Sequence, residues 1–315
     1  MMGLPLIDIS GLTASDPAAR RAVGAELRAA CLEHGFFYCT GHGVPIGLIE
    51  AAMTQTRALF DLPLAAKHAL DKAQSPANRG YEHLGGQTLQ PGALPDRKEG
   101  FYLGEDLGPD HPRVRAGAFN AGANLWPADL PAFRPVMVAY FAALGVVAER
   151  LMSGLALSLE LPEDHFRAFT TEPAATLRLL HYPPSRPEQP DELGAGAHTD
   201  FGGLTLLLQD DVGGLQVMGR DGWIEAPPMP GAYVVNLGDM IARWTNDRYC
   251  STLHRVVNRS GRERYSIPYF YSGNPEHEVR CLPTCLASGE QPKYPPVKVQ
   301  DHLRAMYART YATTS

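Results

Sequence analysis

Before residue 160, apolar positions recur at helical spacing in three stretches. Across 18–34, Val23, Leu27, Ala30 and Cys31 fall on one face and the run ends at Gly35, which predicts a helix closed by a glycine. Residues 46–60 predict a second helix that stops before Pro63, and 132–159 predict the longest, an Ala/Leu/Val spine with no proline after Pro135, packed against a sheet. Between about 72 and 127, glycines and prolines break the chain into short pieces, and long ordered loops are expected. After residue 173 the period shortens. The runs 176–182, 204–209, 214–217, 223–226, 232–237, 254–257 and 264–271 are rich in β-branched, leucine and aromatic residues and are separated by Gly, Pro, Asn and Asp turns. That texture predicts antiparallel pairing in a sandwich or barrel. A closing helix is expected over Val299–Tyr311, and no internal repeat is present.

The expected fold is therefore mainly β with flanking helices: a double-stranded β-helix, or jelly-roll, core inside a helical N-terminal frame. One integrated domain is expected. Residues 1–172 form helices and loops packing on the core, 173–280 the core of two facing antiparallel sheets, and 281–315 a C-terminal extension. Jelly-roll connections pass between sheets, so the strands that begin at His254 and Arg264 should lie on facing sheets rather than pair in a hairpin.

Composition agrees with a folded chain of this size. Of 315 residues, 44% are hydrophobic and 20% charged, enough to bury a core without staples. The net charge of −6 and the lack of any Lys/Arg block make a nucleic acid or an anionic membrane an unexpected partner. No stretch reads as the roughly 20 apolar residues of a membrane span. The start, MMGLPLIDIS, has no basic segment before an apolar run, so no secretory leader is expected and a cytoplasmic location is. The five cysteines (Cys31, Cys39, Cys250, Cys281, Cys285) are scattered and odd in number, and are expected to be reduced thiols. Oligomeric state is not legible, and a monomer is compatible with everything above.

Chemistry enters at His198-Thr199-Asp200. In extended chain, residues i and i+2 project to the same side, so His198 and Asp200 can share one ion while Thr199 points elsewhere. His254, at the start of a later strand, supplies a second imidazole. Two imidazoles and a carboxylate on one face of a metal leave adjacent positions open, an arrangement suited to iron(II) and oxygen chemistry. The same spacing places Arg264 and Ser266 side by side. The guanidinium fork matches a carboxylate bidentately and the hydroxyl adds a donor. Arg264 opens the apolar run YSIPYFY, where a charge without a partner would be costly.

The chain resembles the isopenicillin N synthase-like branch of the iron(II)/2-oxoglutarate-dependent dioxygenases almost from end to end. LPLIDIS, GFFYCTGHGVP (35–45), Arg79-Gly80-Tyr81, DRKEGF (96–101) and NLWP (124–127) resemble the family's N-terminal pattern; GGLQV, DGWIEAPP, VVNLGDM and TNDRYCSTLHRVVN resemble its core. The resemblance implies that His198, Asp200 and His254 bind Fe(II), that Arg264 and Ser266 clamp the distal carboxylate of 2-oxoglutarate, and that Tyr182 helps to anchor it. One departure stands out: many members carry Asn two positions before that tyrosine, where this chain has Leu180. The activity implied consumes O2, converts 2-oxoglutarate to succinate and CO2, and oxidises a C–H bond of a small-molecule substrate.

Asn236 and Asp239 in VVNLGD are expected to serve structure rather than catalysis. Arg178 shares the alternating face of Tyr182, and either meets a substrate acid or pairs with a carboxylate of the protein. Phe101, Tyr102, Trp244 and Phe270 are candidate pocket aromatics, with core packing the competing role for each. Three other functions fit parts of the pattern: an Fe(II) oxidase that takes no 2-oxoglutarate and holds its substrate's carboxylate on Arg264, a non-catalytic metal-binding sensor, and a zinc hydrolase.

Overall fold

The computed structural model describes residues 3–186, 188–189 and 191–311. The N-terminal part runs β1 (Leu6–Asp8), α1 (Pro17–Glu33), β2 (Phe36–Thr40), α2 (Ile46–Phe60), α3 (Leu64–His68), β3 (Gly80–Glu82), β4 (Glu99–Gly104), α4 (Pro112–Arg115), α5 (Phe133–Ser158) and α6 (Arg167–Thr170). The core follows as β5 (Ala174–Tyr182), β6 (Ala195–His198), β7 (Leu204–Gln209), β8 (Leu215–Gly219), β9 (Gly222–Glu225), β10 (Tyr233–Leu237), α7 (Asp239–Trp244), β11 (His254–Val256) and β12 (Arg264–Gly273). The chain closes with β13 (Glu278–Val279), β14 (Val297–Lys298) and α8 (Val299–Tyr311).

The predicted helices form for local reasons. Asp16 caps α1 by accepting the Ala18 N–H at 2.9 Å, Pro17 occupies its first turn, and Gly35 ends it at φ +63°, a conformation in which glycine is favoured. In α5, Phe133, Met137, Tyr140, Leu144, Val147, Ala148 and Leu151 form a buried stripe against α1, α2 and the sheet. By length and composition α5 is also long and apolar enough to cross a membrane, contrary to the sequence reading; here its apolar stripe lies in the core.

An eight-stranded sheet has the order β1-β2-β10-β7-β12-β5-β4-β3, and a four-stranded sheet the order β6-β11-β8-β9. Strand alternation divides the work of the large sheet. Along β12, Tyr265, Ile267, Tyr269 and Tyr271 point outward into the core under the helices, while Arg264, Ser266, Pro268 and Phe270 line the space between the sheets. Apolar contacts among Phe36, Leu180, Tyr182, Ala195, Leu215, Val217, Val234 and Val256 close the sandwich at one end. As expected, β11 and β12 belong to different sheets and do not pair with each other.

The stretch expected to be long loops between 72 and 127 departs from prediction. It contains β3 and β4, and β4 pairs with β5 from Glu99↔His181 to Gly104↔Thr176. Together with β1 and β2, it makes half of the large sheet from N-terminal sequence. β3 is only 3 residues long, too short to show a period, and β4 has polar or glycine residues on its inner face, so neither carries an alternating apolar signature.

Two loops are locked together at the mouth of the sandwich. Gly238 N–H donates to the Gly203 carbonyl at 2.8 Å, and Asp239 N–H to the Asp200 carbonyl at 2.8 Å. A Cβ on Gly238 would lie 2.2 Å from the Gly202 carbonyl oxygen, so only glycine allows this approach. Gly238→Ala is expected to cost about 1–3 kcal/mol, typical of overpacking. Urea unfolding should show a lower midpoint at unchanged slope. An unchanged midpoint would mean that the two loops part at no cost.

Candidate metal and co-substrate site

His198 ends β6, Asp200 sits in the turn that leaves it, and His254 opens β11 directly opposite His198 in the ladder. The ligand atoms of the three side chains all lie within 4.8 Å of one another. Asp200 Oδ1 is 3.8 Å from His198 Nε2 and 3.8 Å from His254 Nε2. Each imidazole is oriented from behind. His198 Nδ1 faces the Gly196 carbonyl at 2.8 Å, and His254 Nδ1 faces the Thr252 carbonyl at 3.1 Å. Those carbonyls accept the Nδ1 protons, which leaves each Nε2 as a lone pair aimed at the common point. Lone pairs and a carboxylate converging without a hydrogen to share repel unless a cation lies among them. The donor set therefore fits iron(II). Burial, and next to it the His254 ring, push His198 down to about 3, so it stays neutral and available as a ligand.

The carboxylate is held as firmly as the imidazoles. Thr205 Oγ1 donates to Asp200 Oδ2 at 2.5 Å and Asn236 Nδ2 donates to the same oxygen at 2.7 Å. Burial alone would raise the Asp200 carboxyl. The two imidazoles and these two donors more than offset it and hold it below the ordinary carboxylate range. Asn236 thus has the supporting role expected of it. Thr205 was not singled out in the sequence, although a lone polar residue in the buried run LTLLLQ was the available signal. Asp239 contributes its backbone N–H, and its carboxylate lies 3.5 Å from His302.

Behind the triad, the space between the sheets is lined by Phe36, Leu180, Leu207, Leu215 and Val256 and ends on Arg264, Ser266 and Tyr182. Arg264 is fully buried. Its Nε donates to the Gly213 carbonyl at 2.5 Å, Nη1 to Ser266 Oγ at 3.3 Å and Nη2 to Gln209 Oε1 at 3.2 Å, while the Tyr182 ring lies 4.6 Å beneath it. Among the described residues no carboxylate is within ion-pair distance of it. A buried guanidinium of this kind is costly without an anion, and its fork suits a carboxylate brought from outside. Leu180 adds an apolar wall. Lys98, also missed in the sequence, reaches the same space while paired with Asp96; burial pushes its ammonium down to about 8.

In front of the triad lies an outer cavity that shares Leu89, Arg178, His198, Asp200 and Phe270 with the inner one. Tyr102 and Phe270 line it, as the sequence allowed. Phe101 and Trp244 do not. Phe101 points to the other side of β4 and packs edge-on against Phe133, and Trp244 is buried among Phe166, Phe169 and His277. Both are core residues. Arg178 takes the second of the roles open to it, as it is paired with Glu82 and bonded to Gln87 at 3.0 Å, yet it still forms part of the cavity wall. Lys72 joins Glu82 at 2.6 Å; burial opposes ionisation of Glu82, but the Arg178 and Lys72 charges bring it down to about 2. Phe201 and, from α8, Leu303, Tyr307 and Thr310 complete the outer wall. Nothing in the spacing of α8 had marked these three for a site.

The comparisons with known proteins agree with this geometry. Residues 173–273 match the model of the 2OG-Fe(II) oxygenase superfamily, and residues 4–129 match that of the non-haem dioxygenase in morphine synthesis N-terminal region. The 2-oxoglutarate-Fe(II) type oxidoreductase hxnY of Emericella nidulans is 47% identical, over 98% of this chain and 90% of its own. The crystal structure of a full-length Neurospora crassa protein in complex with alpha-KG and thymine superposes with a TM-score of 0.85 at 29% identity, covering 99% of this chain and 97% of that one. That of JOX2 in complex with 2OG, Fe and JA gives a TM-score of 0.80 at 33% identity, covering 96% and 84%. The oxidase, sensor and hydrolase alternatives give way to the reading with a co-substrate. With its jelly-roll core and its His-Asp-His cluster, this chain belongs to the 2OG-Fe(II) oxygenase superfamily and is a 2-oxoglutarate-dependent dioxygenase that uses iron(II) and O2.

Proposed function

We propose that the chain oxidises a C–H bond of a compact organic molecule seated in the outer cavity. In this reading His198, Asp200 and His254 hold the iron, and Arg264, Ser266 and Tyr182 hold the far carboxylate of 2-oxoglutarate. One observation carries the assignment: the triad stands where two cavities meet, and the inner one ends on a buried guanidinium with no carboxylate at ion-pair distance among the described residues. When bound, the metal and co-substrate supply the oxidising power, through decarboxylation of 2-oxoglutarate to succinate. The protein's part is placement. Nδ1 bonds to Gly196 and Thr252 fix both rings, and Thr205 with Asn236 turns Asp200 Oδ1 toward them. The apolar inner wall keeps water from the co-substrate, and Tyr102, Phe201 and Phe270 give a small substrate flat surfaces to rest on. Solved neighbours that hold thymine or JA support a substrate of that size. Succinate release stimulated by members of a small-molecule panel would identify it.

Removing both supports of Asp200, as in Thr205→Val/Asn236→Leu, should weaken metal binding about 10–100-fold, the usual range for lost outer hydrogen bonds to a ligand. Anaerobic titration with Fe(II) or Mn(II) measures this directly. Undiminished affinity would mean that the two donors do not orient the carboxylate.

Arg264→Ala should leave the co-substrate's carboxylate desolvated without its fork, a cost of about 3–5 kcal/mol, or an affinity for 2-oxoglutarate reduced about a hundredfold or more. Arg264→Lys should recover part of it. Tyr182→Phe should cost about 0.5–1.5 kcal/mol, the scale of one hydrogen bond. Iron affinity should stay level in all three. The readout is the charge-transfer absorbance on adding 2-oxoglutarate to the anaerobic Fe(II) protein. Normal binding in Arg264→Ala would refute the clamp.

A further inference from the structure

Five cationic side chains are buried in the described chain: Lys67, Arg79, Lys98, Arg178 and Arg264. Three have a carboxylate of the protein: Lys67 has Glu99, Lys98 has Asp96 and Arg178 has Glu82. Arg264 is served by the co-substrate in the reading above. Arg79 is left over. It is 3% exposed, its Nη2 donates to the Asn120 carbonyl at 2.8 Å, and its Nε has no hydrogen-bond partner. No acid among the described residues is within ion-pair distance. Asp106 and Glu105 act on it only from further away, and they are themselves held by Arg134 and Arg113. Burial pushes Arg79 down to about 10, so it remains a cation at neutral pH. An uncompensated buried charge is expensive, and persists where something outside the chain neutralises it.

The fold makes room for this guanidinium. It lies flat over Gly104 at the end of β4, where a Cβ would come within 2.0 Å of Nη2. Any side chain at residue 104 would displace it. Gly104 pairs with Thr176, which lines both the outer cavity and a much narrower space walled by Arg79. Asn120, Ser272 and Leu303 are also common to the two. Along β12 the interior positions therefore run from Arg264 through Ser266 and Phe270 to Ser272, with a buried arginine that has no ion-paired carboxylate among the described residues near each end, and the triad between them. The second nearby guanidinium, Arg113, also has a buried Nε without a partner.

We propose that Arg79 anchors an anionic group of the prime substrate, so that the substrate is a small organic acid whose carboxylate reaches past Thr176 while the carbon to be oxidised stays beside the triad. The inference rests on the outer cavity being the substrate site. It makes Arg79 a specificity-determining residue, and it predicts discrimination between an acid and its neutral amide.

The test uses the anaerobic Fe(II) protein saturated with 2-oxoglutarate and paired probes: benzoate with benzamide, phenylacetate with phenylacetamide, hexanoate with hexanamide. Calorimetry should show at least one acid binding tenfold or more tighter than its amide. Arg79→Met should abolish that preference and Arg79→Lys should keep part of it, with 2-oxoglutarate affinity unchanged in both. Without ligand, Arg79→Met should melt no lower than wild type, because an unpaired charge has been removed; a purely structural arginine would lower the melting temperature. Asn120→Asp is an independent check, since an internal carboxylate beside Arg79 should also abolish the preference. Absence of an acid preference in every pair, or its survival in both Arg79→Met and Asn120→Asp, overturns the proposal. Failure of 2-oxoglutarate to bind wild type would instead count against the Arg264 clamp, and the probe pairs would still report on Arg79.

Discussion

Asp200 joins the two sheets. One carboxylate oxygen accepts hydrogen bonds from Thr205 on β7 and Asn236 on β10, both in the large sheet. The other faces His198 on β6 and His254 on β11, both in the small sheet. Its backbone carbonyl receives the first N–H of α7. A single side chain thus fixes the separation of the layers at the point where the ligands must converge. The imidazoles can be aimed with ordinary backbone bonds because the carboxylate between them does not move. Position and charge depend on the same bonds: the donors that hold Asp200 in place also keep it ionised in a buried setting.

The interior of this sandwich is unusually charged for a core, and the charges are arranged by use. On the outer face of the large sheet, aromatic and aliphatic residues pack under α1, α2 and α5 and supply the stability. On the inner face, alternate positions carry arginine, serine, threonine and tyrosine. That division lets the fold accept costly groups within the cavity. Arg178 and Lys72 share Glu82, and Lys98 has Asp96, so those charges are settled within the protein. Arg264 and Arg79 have no such partner among the described residues, and each borders a space continuous with the triad's surroundings. Buried cations without anions are better understood as binding determinants than as contributions to stability.

Much of this was legible before folding. The helical periods gave α1, α2, α5 and α8 nearly residue for residue, and the shortened period after residue 173 gave the strands of the core except β6, a short glycine- and alanine-rich strand. His198-Thr199-Asp200 and Arg264-Tyr265-Ser266 were legible because side chains two apart in extended chain share a face, whatever the rest of the molecule does. Where local patterning was weak, the reading went astray. β3 and β4 read as loops because β4 is held by β5, far along the chain, and β3 only by β4. Phe101 and Tyr102 are neighbours of similar character, and which of them enters the cavity depends on the face β4 turns inward.

The sequence by itself determined the long helices, most core strands, the His-x-Asp pair and the Arg-x-Ser pair, because each depends on spacing within a few residues. Only the tertiary structure decided which charges have partners. It brought Glu82 to Arg178, Asn236 to Asp200, and α8 to the mouth of the outer cavity, and it left Arg79 over Gly104 with no acid among the described residues at ion-pair distance. Those outcomes depend on distances between residues remote in the chain, set by how two sheets and three helices pack, and no local period encodes them.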